Sequence, residues 1–314
     1  MDLVLLGVVG AAILVGTRIY RFILGRSLFL DLWDSLRLDW RSLAAWDARW
    51  TENTDRANIV VCLTSTPARL ARADKTLKSL MAQSKAPLRI RLHIPWASLR
   101  EGRPYEIPPR FTALRSVEVV RCDDLGPATK LIPALRDLPP NQPLLIVDDD
   151  SIYPSTMIED FCRALGDLSD QALALSGWVV PTDLTDRPDT AWSLIRERPP
   201  AAIHATRRRA SFPVDIMRAC DGYLVRPCFF DLAAIEDYRV APPAARWVDD
   251  VWISAHCQAP KYVIPARRMP FFSLRDWRFF ERNALNRMNN PPDPDQRANT
   301  ILIRYFARRW LCSQ

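Results

Sequence analysis

Four apolar residues, Leu144-Leu145-Ile146-Val147, lead without a break into three consecutive aspartates, Asp148-Asp149-Asp150. A run that short and wholly apolar reads as a strand buried on both faces. Adjacent carboxylates repel one another and are costly to desolvate, so the strand must deliver them to a surface or a cleft. The chain is thereby constrained to a sheet with an interior strand and chemistry at its end. Residues 58–64 (Asn-Ile-Val-Val-Cys-Leu-Thr) give a second buried strand, and Pro67 suits the first turn of a following helix. Leu70, Leu77, Leu80 and Met81 form a helical stripe, and residues 88–94 alternate as a half-buried strand. Residues 116–120 read as a third strand, and residues 131–138 as a short helix stopped by Pro139-Pro140. Strands alternating with helices predict an α/β fold, a mostly parallel sheet flanked by helices. Ligands of such sheets bind at the carboxyl ends of the strands. Residues 172–180 and 221–226 read as further strands. Residues 181–212, with several prolines and Arg207-Arg208-Arg209, read as a mobile loop over the site.

A hard divalent cation is the simplest relief for the repulsion in Asp148-Asp149-Asp150. Mg²⁺ or Mn²⁺ favours one or two carboxylates completed by phosphate oxygens and water. If the strand continues through the motif, Asp148 and Asp150 point to one side and Asp149 to the other. A solvated acidic turn, or Asp150 capping the next helix, would produce the same residues.

The charge balance narrows the partners. Lys and Arg number 43 against 36 Asp and Glu, a net charge of +7, and only five of the cations are Lys. An excess of cation favours an anionic partner. No zinc-finger, homeodomain or RNA-module signature occurs, so nucleic acid is not expected. The seven Cys are odd in number and contain no C-x-x-C pair, which suits reduced thiols better than disulfides or zinc.

Residues 3–15 are uncharged and almost wholly apolar, and Arg18, Arg21 and Arg26 follow. The run is shorter than the roughly 17–25 residues of an ordinary span, but tilting or snorkelling arginines extend its reach. The acidic start at Asp2 does not fit a signal peptide. We expect a membrane anchor over residues 1–26. The three arginines place the following domain on the cytoplasmic side, in a bacterial setting the inner membrane. A buried or interfacial helix is the alternative. Over residues 27–57, Phe29, Trp33, Leu36, Trp40 and Leu43 fall on one helical face, which Trp46 and Trp50 continue. Such a Trp-rich amphipathic helix suits a bilayer interface or packing on the domain. Residues 58–275 are read as the catalytic domain. Residues 276–314, with Arg304, Arg308 and Arg309 among large apolar side chains, form a basic amphipathic segment and a second candidate for surface attachment.

Five ordered blocks carry a family resemblance: Leu63-Thr-Ser-Thr-Pro-Ala-Arg69, Asp124-Leu-Gly-Pro-Ala-Thr-Lys130, Val147-Asp-Asp-Asp-Ser-Ile-Tyr-Pro154, Asp221-Gly-Tyr-Leu-Val-Arg-Pro227 and Trp247-Val-Asp-Asp-Val-Trp-Ile-Ser254. In this order, over roughly residues 58–270, they resemble bacterial nucleotide-sugar glycosyltransferases of the GT-A (Rossmann-like) fold and family-2 type. Asp148-Asp-Asp150 stands where that family has its D-x-D motif.

The resemblance implies a nucleotide-sugar donor and an acceptor hydroxyl. With the membrane segment, it points to a lipid-linked glycan or a surface-polysaccharide precursor as acceptor. It implies that Asp148 faces the ribose or the metal. Asp150 would ligate the Mn²⁺ or Mg²⁺ that bridges the donor phosphates, with Asp149 beside it. Thr64, Arg69 and Lys130 would contact the nucleotide or diphosphate. Asp250 or Asp249 would be the base, Asp250 preferred, with helix capping the other use for Asp249. Asp221 and Tyr223 would touch sugar or acceptor, and Trp247 or Trp178 would stack on a sugar face. Some members use a late histidine as a metal ligand, but His256 suits packing on its helix better.

Three alternatives remain from the residues. A haloacid-dehalogenase-type phosphatase needs a Lys ahead of its late acidic pair, whereas Lys261 follows Asp249-Asp250. A nucleotidyltransferase would open with a Gly-rich phosphate loop, and residues 64–69 contain no Gly. An inactive membrane-bound scaffold of the same fold would not need its carboxylates.

Overall fold

The computed structural model describes residues 3–273, 276–282 and 289–311. Thirteen strands are described: β1 (Val60–Thr64), β2 (Arg89–Pro95), β3 (Val117–Cys122), β4 (Leu144–Ile146), β5 (Ser151–Ile152), β6 (Ala172–Ala174), β7 (Ser176–Trp178), β8 (Ile203–His204), β9 (Phe212–Pro213), β10 (Ile216–Met217), β11 (Tyr223–Val225), β12 (Lys261–Val263) and β13 (Phe271–Phe272). Eight of them form the central sheet in the order β3-β2-β1-β4-β11-β6-β12-β9. Strands β3, β2, β1 and β4 are parallel, β11 runs against β4 and β6, β12 is again parallel to β6, and β9 closes the far edge antiparallel. The expected mostly parallel sheet is present.

Period-2 alternation divides the core between the two faces of this sheet. Val61, Leu63, Leu145, Val147, Leu173 and Leu224 enter one apolar cluster, and Val60, Cys62, Leu144, Ile146, Ala172 and Tyr223 enter the other. Before the sheet come α1 (Leu3–Leu24), α2 (Leu28–Asp39) and α3 (Leu43–Glu52). Within it lie α4 (Pro67–Leu70), α5 (Asp74–Met81), α6 (Pro109–Thr112), α7 (Ile132–Asp137), α8 (Met157–Leu165), α9 (Ala191–Arg196), α10 (Leu232–Glu236) and α11 (Asp249–His256). Leu77, Leu80 and Met81 of α5 cover the first face, while Ile132 and Leu135 of α7 and Val251 to Ile253 of α11 cover the second.

Several expectations change. The run 172–180 is two strands in two sheets: β6 belongs to the central sheet, and β7 lies between β10 and β8 in a three-stranded one. The stretch 181–212 is partly ordered by its own hydrogen bonds. In α9, Thr190 and Ser193 form a reciprocal capping box, and β8 pairs with β7. The helical stripe of residues 29–50 breaks at residues 40–42, where Ser42 caps α3 by accepting from Ala45 N–H at 3.1 Å. Beyond the break the apolar face reverses. Trp46 and Trp50 are buried in the domain, and Trp50 donates its indole N–H to the Pro87 carbonyl. The C-terminal segment contributes to the core. In the helix Ala298–Tyr305, Leu302 and Ile303 are fully buried, and Trp310 donates to the Ile303 carbonyl at 2.8 Å. Residues 274–275 and 283–288 of the expected boundary region lie outside the described residues.

Helix α1 is 22 residues long, about 33 Å at 1.5 Å per residue. Its stretch Gly7–Leu24 has a mean hydropathy of 1.5 and holds no fully buried residue. By length and composition it is able to cross a membrane, and it runs past the apolar residues 3–15 to include Arg18 and Arg21.

Candidate active site

The carboxyl ends of β1, β2, β3 and β4 open into one cleft of about 990 Å³. The end of β1 and the segment that follows it supply Thr64, Ser65 and Arg69. Thr64 donates its hydroxyl to the His93 carbonyl at 2.8 Å, which ties the end of β1 to β2. The Ser65 carbonyl accepts from the Tyr105 hydroxyl at 2.9 Å, while the Ser65 hydroxyl donates to the Asp149 carboxylate. Arg69, on α4, reaches Asp149 at 2.6 Å and Asp150 at 2.5 Å and lies over the Phe280 ring.

The turn after β3 supplies Lys130. Gly126 has φ +65, and a Cβ there would meet the Arg246 carbonyl oxygen at 2.2 Å. Only glycine permits that approach, which packs the turn against the chain leading into α11. Asp124 accepts from Gly126 N–H and from Leu99 N–H, each at 2.7 Å, fixing the turn from the other side. Lys130 is buried, donates to Asp148 and forms an ion pair with Asp249 at 2.8 Å.

Strand β4 ends at Ile146, so the aspartates follow irregular backbone rather than strand pleat. Asp149 and Asp150 share Arg69, and Asp148 turns to Lys130. This corrects the expected pairing of Asp148 with Asp150 on one side. Burial pushes the Asp149 carboxyl up. Burial, aided by Asp149 and Asp148 and opposed by Arg69, pushes Asp150 up to about 6. Lys130 is driven the other way: burial acts to lower it, but Asp148 and Asp249 outweigh burial and hold the ammonium charged.

Asp249 and Asp250 are the first residues of α11, where the helix dipole favours negative charge. Asp249 makes no capping bond to its helix; it serves Lys130. Asp250 accepts from Ala219 N–H at 3.1 Å. Burial, with Asp249 adding and Lys130 opposing, pushes it up to about 8.

The cleft thus gathers Thr64, Arg69, Lys130, Asp148, Asp149, Asp150, Trp247, Asp249 and Asp250 from the sequence-predicted set. Two predicted contacts fall elsewhere. Tyr223 is fully buried on β11, on the sheet face that packs under α11, and does not line the cleft. Asp221 is buried behind the wall, accepting from Ser176 at 2.5 Å and lying 3.6 Å from Arg218. His256 accepts nothing from the site; its ring packs on Trp252 and its Nδ1 meets the Trp252 carbonyl at 2.8 Å. Sequence reasoning missed Arg218, Asp186 and Arg297, which also line the cleft. Arg297 donates to Asp186 at 2.8 Å, a pair separated by 111 residues and carried by no motif.

No set of three metal-ligating side chains is arranged as a ready-made cage among the described residues. The donor set nevertheless fits a hard cation that completes its shell with phosphate oxygens and water. Eight carboxylates line the cleft, and one oxygen of Asp150 is buried with no hydrogen-bond partner among the described residues.

No protein-family model matches the sequence, and no curated protein matches it. Among solved structures, TarS of S. aureus (residues 1–349) superposes with a TM-score of 0.43 at 11% identity, covering 80% of this chain and 71% of that one. The same S. aureus protein has been solved with UDP-GlcNAc. The mannosyltransferase PcManGT of Pyrobaculum calidifontis, solved with GDP-Man and Mn²⁺, superposes with a TM-score of 0.42 at 14% identity, covering 88% and 78%. A 4-diphosphocytidyl-2C-methyl-D-erythritol synthase gives 0.40 at 13% identity, covering 73% and 98%. Superpositions at this level are likenesses of overall shape.

Proposed function

We propose that this chain is a membrane-anchored glycosyltransferase that moves a sugar from a nucleoside diphosphate onto an acceptor hydroxyl. One observation carries the reading: Lys130 joins the carboxylates after β4 to those opening α11, inside a single cleft at the carboxyl ends of parallel strands. One side of that cleft suits a metal-bound diphosphate, and the other suits a base.

In this reading Asp150, with its unpartnered oxygen, would hold Mn²⁺ or Mg²⁺, and Asp148 would join it by releasing Lys130. When bound, the cation supplies Lewis-acid stabilisation of the leaving diphosphate. Arg69 and Lys130 add positive charge at the same place, and Asp149 keeps Arg69 oriented. The end of β1 at Thr64, and the wall formed by Ser98, Tyr105 and Asp124, receive the nucleoside. Asp250, steadied by Ala219 N–H, accepts the acceptor's hydroxyl proton as the new glycosidic bond forms and the sugar–diphosphate bond breaks. Trp247 offers a sugar-stacking face in the same wall.

The anchor α1 favours an acceptor that stays with the membrane, a lipid-linked glycan or surface-polysaccharide precursor. Arg18 and Arg21 within it and Arg26 just after it favour a cytoplasmic catalytic domain at a bacterial inner membrane. The phosphatase alternative loses support, because Lys261 sits on β12 and reaches the Cys257 carbonyl rather than the cleft.

The test is calorimetric titration of UDP, GDP, CDP and ADP with Mn²⁺, with Mg²⁺ and with chelator, on the wild type and Asp150→Ala. Metal-dependent binding of one nucleotide, lost in the variant, supports the donor site. A folded protein that binds none of the four overturns it.

A further inference from the structure

Helix α2 is inside out. Asp31, Asp34, Ser35 and Leu38 are its buried residues, and Leu28, Phe29, Leu30, Leu32, Trp33, Leu36 and the following Trp40 are exposed. The inversion is built in by ion pairs. Arg268 donates to Asp31 and to Asp34, each at 2.8 Å, and Lys75 of α5 donates to Ser35 at 3.1 Å and to Asp39 at 2.9 Å. The domain offers α2 a basic seat, so α2 docks by its acidic face and turns its apolar face outward. Phe29 is 65% exposed and Trp40 73%. Fully burying one such side chain is worth roughly 1.5–3 kcal/mol, and a contiguous apolar patch of this kind marks an interaction surface.

The neighbourhood identifies what covers it. Only residues 25–27 separate α2 from α1, whose Val8, Val9, Ile13, Leu14, Val15, Ile19 and Phe22 are also exposed. Exposed Arg18, Arg21 and Arg41 lie on either side of α2 in the sequence, a charge that matches anionic headgroups. Trp33 and Trp40 pack edge to face at 5.9 Å within it, and tryptophan is the residue enriched at headgroup level. We infer that α2 lies in the bilayer interface, with Phe29, Leu32, Trp33, Leu36 and Trp40 among the acyl chains, and holds the catalytic domain in one orientation on the lipid surface.

The cleft lies beside this surface. Arg26, between the two helices, sits over the ring of Phe272, which lines the cleft. The Gly25 carbonyl accepts from Met269 N–H at 3.1 Å, so the exit of α1 is fixed to the same edge of the domain. Two attachments, one along the anchor and one along α2, remove the swivel that a single tether would leave. The inference rests on the anchoring role of α1 but not on glycosyl transfer.

The experiment uses the full chain reconstituted in vesicles of mixed zwitterionic and anionic phospholipid, with bromine high in the acyl chains as quencher. Flotation reports anchoring, and tryptophan quenching reports α2. We expect the wild type to float and to show strong quenching. Trp33→Phe/Trp40→Phe, a conservative change at two exposed sites, should float equally well and lose most of the quenchable emission. Trp96→Phe, at an exposed residue on another loop, should keep it. Equal quenching in the double variant and the wild type would overturn the inference while leaving the anchor intact. A protein that does not float removes both. Absent quenching in a floating dimer would assign the face to a second copy and overturn the lipid assignment.

Discussion

Lys130 Nζ lies 2.8 Å from Asp249 and also meets Asp148, so one buried ammonium joins two acidic motifs from distant parts of the chain. Removing it leaves buried carboxylates uncompensated, which costs about 3–5 kcal/mol when one partner of a buried pair is deleted. Lys130→Met should therefore lower the unfolding midpoint strongly. Adding Asp249→Asn should recover part of the loss, with a coupling of roughly 0.5–3 kcal/mol by double-mutant cycle in denaturant. Strictly additive effects would show that the two groups do not interact.

Asp150→Asn keeps the shape of the side chain and its contact with Arg69 in part, yet removes the charge a divalent cation requires. Steady-state assays with the donor identified by calorimetry should show transfer reduced on the order of 100-fold or more, as for loss of one transition-state stabilising group. Chelator should abolish wild-type transfer, and Mn²⁺ or Mg²⁺ should restore it. Unchanged transfer in chelator would remove the cation from the reaction.

Gly126→Ala tests how the turn places Lys130. The left-handed φ and the 2.2 Å approach to the Arg246 carbonyl both forbid a side chain. We expect a loss of about 1–3 kcal/mol from the backbone strain, read by thermal unfolding. Donor affinity should also fall, because relief of the clash moves the Lys130 turn away from α11. A variant as stable as the wild type would mean the turn relaxes freely.

Tyr223→Phe should do little. The phenol is fully buried and its hydroxyl has no hydrogen-bond partner among the described residues. Deleting an unsatisfied buried hydroxyl is neutral or stabilising, so we expect stability within about 1 kcal/mol of wild type and near-normal kcat/KM. A large fall in kcat/KM with intact stability would return Tyr223 to the substrate site.

The sheet was legible in the sequence because short apolar runs such as 144–147 and 58–64 can be buried in few other ways. The acidic motifs were legible because adjacent carboxylates are costly without a partner. Their pairing was not. Whether Asp148 shares a cation with Asp150 or turns to Lys130 depends on the strand ending at Ile146, and no residue type announces that end. Tyr223 and Asp221 flank Gly222, whose φ of +94 turns the chain just before β11, so nearness in sequence to the site said nothing about facing it. The reversal between α2 and α3 was hidden for a similar reason. Periodicity gives a face, but Arg268 and Asp47 decide which side docks: Asp47 accepts from Arg115 N–H and Ser116 N–H and pulls α3 onto β3. Arg297 and Asp186 meet only through the fold.

His93 gives the pH dependence of the fold. It is fully buried in β2, and its Nδ1 lies 3.2 Å from the Lys130 carbonyl. A carbonyl only accepts, so Nδ1 carries the proton and donates, leaving Nε2 buried without a partner among the described residues. Burial, aided by Arg91, pulls the imidazole down to about 4 from an ordinary value of 6.5. The folded state therefore resists a proton that the unfolded chain binds. Stability from this group is complete above pH 6.5 and is lost as the pH falls toward 4. At 1.36 kcal/mol per pH interval of one, the loss at pH 5 is about 2 kcal/mol. His93→Phe keeps a ring in the core and forgoes one hydrogen bond, at roughly 1 kcal/mol, but it has nothing to protonate. Denaturant unfolding at pH 7.5 and pH 5 should show the wild type losing about 2 kcal/mol more than the variant. Equal losses would mean that the buried imidazole takes up its proton without opening the β2 core, and that acid acts on the carboxylates alone.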